Sequence, residues 1–160
     1  MLLLRVGITI ALMQAVFLNH PTAHQEHIEV EIEVDQDQEM KEYFETQEGF
    51  DFLRCVYAEA GNQGYNGMRK VAAVVINRWE DEGFPDTIEG VLKQRYQFSS
   101  YPDGWKKWEY DAIESEDCKR AIWDELNERS ETDIFWFRTL YFPKYGSPKY
   151  KYKDHYFSGR

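Results

Sequence analysis

One segment constrains this chain more than any other: Met68–Trp79, MRKVAAVVINRW. Val71, Val74, Val75 and Arg78 recur at spacings of three and four, so they share one helix face. Ala72, Ala73 and Ile76 cover much of the remainder. A helix apolar on nearly every side has no solvent face and must be surrounded by other elements. The segment predicts the central buried helix of a small domain. Asn77 and Arg78, at its end, are suited to holding structure rather than substrate.

Immediately before it lies a loop, Gly61–Gly67, with three glycines, and before that Gly49–Ala60, GFDFLRCVYAEA. Phe52, Cys55, Val56 and Glu59 fall on one helical stripe, and Gly61 and Asn62 are natural terminators. A carboxyl in line with apolar residues at the last turn of a helix is costly unless it is paired, protonated or working in a cleft. Glu59 is therefore the first candidate for chemistry.

The 160 residues suit one domain. The 42 % hydrophobic and 16 % aromatic shares supply a core. A net charge of −10 excludes nucleic acid, which demands a basic surface, and electrostatic capture by an anionic membrane. Two cysteines, Cys55 and Cys118, allow one disulfide and no metal framework. Both lie in helical apolar patterns, which reads as buried thiols unless the fold brings them together.

Residues 1–23 begin with one Arg and an apolar run from Val6 to Leu18, the pattern of an export signal or an N-terminal membrane anchor. Residues 24–48 read as an acidic linker, with Lys41 the lone base between Glu26 and Glu48. Within it, His27–Asp35 alternates apolar and acidic residues and reads as an edge strand or a solvated tether. His24 and His27 lack further ligands, so no metal site is assigned. The catalytic domain is expected over 49–160.

Past the central helix, Asp86 or Thr87 caps a short helix through Ile88, Val91 and Leu92. Tyr96–Ser100 is a polar-aromatic loop. Ser115 caps a helix over Glu116–Arg129 packed through Cys118, Ala121, Ile122 and Leu126. Ile134–Phe137 suits a strand, and the tail reads as a loop with a final short strand near Asp154–Phe157.

These pieces in order, Leu53-x-x-x-Tyr57-Ala-Glu-Ala60, Tyr65-x-Gly67, Val71-Ala-Ala-Val-Val-Ile-Asn-Arg78, Phe84-Pro-x-Thr-Ile-x-x-Val91 and Gln97-Phe-Ser99, resemble the SleB-type cell-wall hydrolases. That family includes spore-cortex-lytic enzymes and related phage and bacterial lysins. Cys118–Leu126, Phe135–Phe137 and His155-Tyr-Phe157 fit its later segments, so the resemblance spans roughly residues 50–160. It implies an α+β fold, a mostly helical, lysozyme-like domain with a small β element. It implies peptidoglycan glycan strands as partner and substrate and lytic transglycosylase chemistry; the N-terminal segment adds the expectation of extracytoplasmic action, and a monomer with no cofactor or metal is expected. Glu59 corresponds to the family's catalytic Glu. Relatives usually read Glu-Ala-Arg-Gly-Glu, whereas this chain reads Glu59-Ala-Gly-Asn-Gln63, so the second acid is an amide. The segment between Ser100 and Glu116 also departs from the family.

Most glycosidases use two carboxylates. A lytic transglycosylase manages with one, which protonates the bond and then takes the proton of the muramic C6 hydroxyl as a 1,6-anhydro ring closes. A single assigned glutamate, with its pKa raised by apolar neighbours, points to that route. Substrate contact is expected from Tyr57, Gln97, Ser99, Phe137, His155 and Tyr156. The alternatives are a water-using muramidase and a catalytically silent peptidoglycan-binding module. A cysteine hydrolase pairing Cys55 or Cys118 with His155 is disfavoured by their apolar setting.

Overall fold

The structure, a computed structural model, describes residues 35–94, 97, 98 and 103–160. The export segment or anchor expected over 1–23, the first part of the acidic linker and Ser99 lie outside the described residues.

The end of the expected linker is helical. Asp35 caps helix α1 (Gln36–Glu45) by accepting from the Asp37 N–H at 3.1 Å. Met40 and Phe44, four residues apart, are buried in the main core, and Tyr43 packs against it. The linker expectation is corrected here: residues 36–48 belong to the folded domain. Their acids sit on the solvent face, and that charge hid the apolar stripe behind it.

Thr46 makes the corner into α2 (Gln47–Ala60). Its hydroxyl donates to the Tyr43 carbonyl at 2.7 Å and accepts from the Gly49 N–H at 3.1 Å. A Cβ on Gly49 would lie 2.1 Å from the Tyr43 carbonyl oxygen, so the close approach of α1 requires glycine. Phe52, Leu53, Cys55, Val56 and Ala60 of α2 are buried.

A 3₁₀ turn (Gly61–Gln63) leads into α3 (Gly64–Trp79), which starts four residues before Met68, within the expected loop. Every residue from Val71 to Arg78 is buried. Val71, Ala72, Val75 and Ile76 pack into the main helical core, and Ala73 and Val74 pack with Ile134 and Phe157 in a second cluster. The helix is apolar all round because helices cover one side and a sheet the other. Each fully buried Val or Ile contributes about 1.5–3 kcal/mol.

Thr87 caps α4 (Ile88–Leu92) by accepting from the Gly90 N–H at 3.0 Å. Two short helices, α5 (Asp103–Lys107) and α6 (Glu109–Glu114), precede α7 (Glu116–Asn127), which Ser115 caps by accepting from the Cys118 N–H at 3.2 Å. Cys118, Ala121 and Ile122 of α7 are buried against α2 and α3.

Strands β1 (Trp136–Thr139), β2 (Ser147–Tyr152) and β3 (His155–Gly159) form an antiparallel sheet in the order β1-β3-β2. Two residues, Lys153 and Asp154, turn β2 into β3, with Lys153 in the left-handed region at φ 47°. Asn77 donates to the Ile134 carbonyl at 2.7 Å and Arg78 to that of Phe135 at 2.7 Å. Both residues therefore tie the end of α3 to the chain entering β1, the structural role expected of them.

Candidate active site

The end of α2, the turn after it, the start of α6 and one end of the sheet enclose a cleft of about 410 Å³. The 3₁₀ turn reverses the chain at once after α2, so Glu59, the penultimate residue of the helix, is partly buried at the cleft wall. Tyr57, Ala58, Gly61, Asn62 and Gln63 line the same wall, with Trp108 beside them and Thr139, Asp154 and His155 on the sheet side.

Tyr57 and His155, two of the expected substrate-contacting residues, thus share the cleft with Glu59. The Tyr57 ring lies 6.4 Å from that of Trp108 and covers Gly61, where a Cβ would meet it at 3.1 Å. Burial and the nearby Asp111 raise the phenol's pKa, so Tyr57 stays protonated. His155 is buried, its ring 5.0 Å from Phe137 and 6.0 Å from Phe157. Burial lowers its pKa, against a smaller opposing effect of Asp154, which favours the neutral imidazole. Its Nδ1 has no hydrogen-bond partner among the described residues.

The other described contacts, Gln97, Phe137 and Tyr156, are not among the described residues lining the cleft. Phe137 bridges the two cores, with Phe98 at 6.3 Å and Phe157 at 6.0 Å. Tyr156 packs edge-on to Phe142 at 5.1 Å, beneath the Lys151 ammonium. Successive strand residues point to opposite sheet faces, so His155 and Tyr156 cannot serve one site together. Gln97 is exposed in a turn, its N–H donating to the Gln94 carbonyl at 3.2 Å. Sequence reasoning missed Asn62, Gln63, Trp108, Thr139 and Asp154 as cleft residues. Two of them carried a usable signal: Gln63, standing where relatives carry an acid, and Asp154, next to His155.

The cysteines are sealed inside and unbridged. Burial pushes both thiols up, and the Glu59 charge adds to this at Cys55, so neither is a thiolate nucleophile. A second hollow of about 370 Å³ lies by Arg69 and Lys70, whose cations are paired with Glu125 at 2.9 Å and Glu131 at 2.7 Å. Among the described residues, no group of three His, Cys, Asp or Glu is placed to hold a metal ion, and no helix is long and apolar enough to cross a membrane.

A helical domain with a three-stranded sheet and a cleft where the two meet defines the lysozyme-like α+β class. The solved catalytic domain of the germination-specific lytic transglycosylase SleB from Bacillus anthracis has this fold: TM-score 0.58, 24 % identity, covering 71 % of this chain and 95 % of that one. The SleB catalytic domain of Bacillus cereus matches similarly, at TM-score 0.56 and 24 % identity over 71 % and 91 % of the two chains. The chain belongs to the Cell Wall Hydrolase family, whose profile matches residues 62–158. Spore cortex-lytic enzymes are similar over part of their length. That of Halalkalibacterium halodurans is 35 % identical over 46 % of this chain and 21 % of its own, and that of Oceanobacillus iheyensis 37 % over 46 % and 25 %. The matched region is thus about a quarter or less of those proteins.

Proposed function

We propose that this domain cleaves peptidoglycan glycan strands between N-acetylmuramic acid and N-acetylglucosamine by lytic transglycosylase chemistry, outside the cytoplasm, with Glu59 as acid and then base. The observation that carries this reading is Glu59 at the end of α2, on the wall of an open cleft. The Glu59 carboxyl donates its proton to the glycosidic oxygen as the C1–O bond breaks. Positive charge on the ring is shared with the substrate's N-acetyl group. The carboxylate then removes the C6 hydroxyl proton, and O6 bonds to C1. No water is consumed and Glu59 ends protonated, as it began. Family membership and the SleB fold support the substrate class, and the neutral groups Tyr57 and His155 suit an uncharged sugar.

The test is digestion of purified sacculi with mass spectrometry of the products. The wild-type protein is expected to release 1,6-anhydro muropeptides and Glu59→Gln almost none. Undiminished release by Glu59→Gln overturns the assignment. Reducing muramic ends in place of anhydro ends make the protein a water-using muramidase. Binding without cleavage makes it a silent glycan-binding module.

A further inference from the structure

Gln63 and His155 are the two buried residues of the cleft lining. The Gln63 amide is fully committed. Its NH₂ group donates to Asn62 Oδ1 at 2.8 Å and to Asp154 Oδ2 at 2.8 Å, and its Oε1 accepts from the Asp154 N–H at 3.3 Å. The backbone carbonyl of Gln63 accepts from Lys153 Nζ. Both residues of the β2–β3 turn are thus fastened to one residue, 90 and 91 positions earlier in the chain. Lys153 adopts its left-handed conformation within this fastening, at a backbone cost of order 1 kcal/mol.

The result is an ordered carboxylate facing the cleft. Asp154 remains open to solvent, yet one oxygen and its own N–H are fixed by the same amide. The residue at 63 must be neutral for this to hold. A carboxylate there would stand about as close to Asp154 Oδ2 as the amide does, and two carboxyls at such a distance share one proton rather than both ionise.

We propose that Asp154 is a second acidic group of the reaction, held by Gln63, whose negative charge stabilises the cationic sugar ring formed when Glu59 protonates the glycosidic bond. Asp154 forms no bond and transfers no proton; Gln63 is a positioning residue. The proposal rests on the reading of Glu59 as the acid.

Two variants on purified sacculi test it. Fixed charges in dry sites change rates by about 10²–10³-fold, and water access to Asp154 reduces this to about 10-fold. Asp154→Asn, which keeps a residue at home in turns, is expected to lower kcat about 10-fold with KM within about twofold. Gln63→Glu is expected to move the acid limb of the kcat/KM profile to higher pH, because a proton is then shared with Asp154. Wild-type kcat in a folded Asp154→Asn protein overturns the proposal, as does an unmoved pH profile in a folded Gln63→Glu protein. If the wild type itself releases no muropeptides, the reading of Glu59 fails instead.

Discussion

Gly67 stands so close to Gln63 that a Cβ built on it would lie 2.2 Å from the Gln63 Cβ. The two residues are one helical turn apart across the junction of the 3₁₀ turn and α3. The obstacle is the root of a side chain, which cannot swing aside. The same Cβ would also touch the Tyr152 ring at 3.4 Å. Gly67 therefore gives Gln63 the space from which it reaches the β2–β3 turn.

Gly67→Ala is expected to destabilise the protein. Removing a helix-interior glycine would by itself gain about 1 kcal/mol, but overpacking costs about 1–3 kcal/mol and prevails here. Thermal unfolding should show a lower Tm, and turnover on sacculi should fall even well below that Tm, because Gln63 is displaced.

Glu125 is fully buried on α7. It accepts from Arg69 Nε at 2.9 Å and from the Ser130 N–H at 2.9 Å, and the Ser130 hydroxyl also donates to it. Replacing it by leucine takes the acceptor from Arg69 Nε and the Ser130 N–H, while the Arg69 guanidinium keeps the Glu128 carbonyl, so the loss falls at the lower end for a broken buried pair, about 3 kcal/mol. The urea midpoint of Glu125→Leu should drop accordingly, while Glu125→Gln, which keeps an acceptor, should lose less.

His155 has a folded-state pKa below its ordinary value because burial disfavours the cation. The unfolded chain then binds more protons between the two values, so stability rises with pH there. The contribution is complete above about pH 6.5, the unfolded value, and is lost as pH falls through the folded one. The wild-type Tm is expected to fall between pH 7.5 and 5.0 by more than that of His155→Phe. Equal falls would show that other groups set the acid dependence.

Trp108 is partly exposed at the cleft, with the Lys107 ammonium 4.7 Å from its ring. An aromatic face there suits stacking against a sugar. Trp108→Ala is expected to raise KM about 3- to 10-fold with kcat little changed, on the scale of about 1 kcal/mol per aromatic contact. A kcat loss with constant KM would instead give Trp108 a part in the chemical step.

Much of this architecture was legible where one local rule dominated. The all-round apolar pattern of α3, the stripe ending at Glu59, the cap at Ser115 and a cap at Asp86 or Thr87 were read from residues within a few positions of one another. The α1 helix was not, because its acids outnumber Met40, Tyr43 and Phe44 and only tertiary burial selects the helix. Strand β2, Ser-Pro-Lys-Tyr-Lys-Tyr, is largely exposed and exists because β3 offers it an edge. The cleft was half legible. Tyr57, Glu59 and His155 lie in quotable motifs. Trp108, Thr139 and the Gln63–Asp154 pair meet through contacts of long sequence separation, for which no local pattern exists.

The two sealed thiols have a practical consequence. The fold owes nothing to oxidation, so a reducing cytoplasm should yield it intact. Cys55 and Cys118 lie at the junction of α2 and α7, where a water-soluble thiol reagent reaches them only when those helices part. Their labelling rate would clock the opening of the very helix that carries Glu59, in a protein with no added probe.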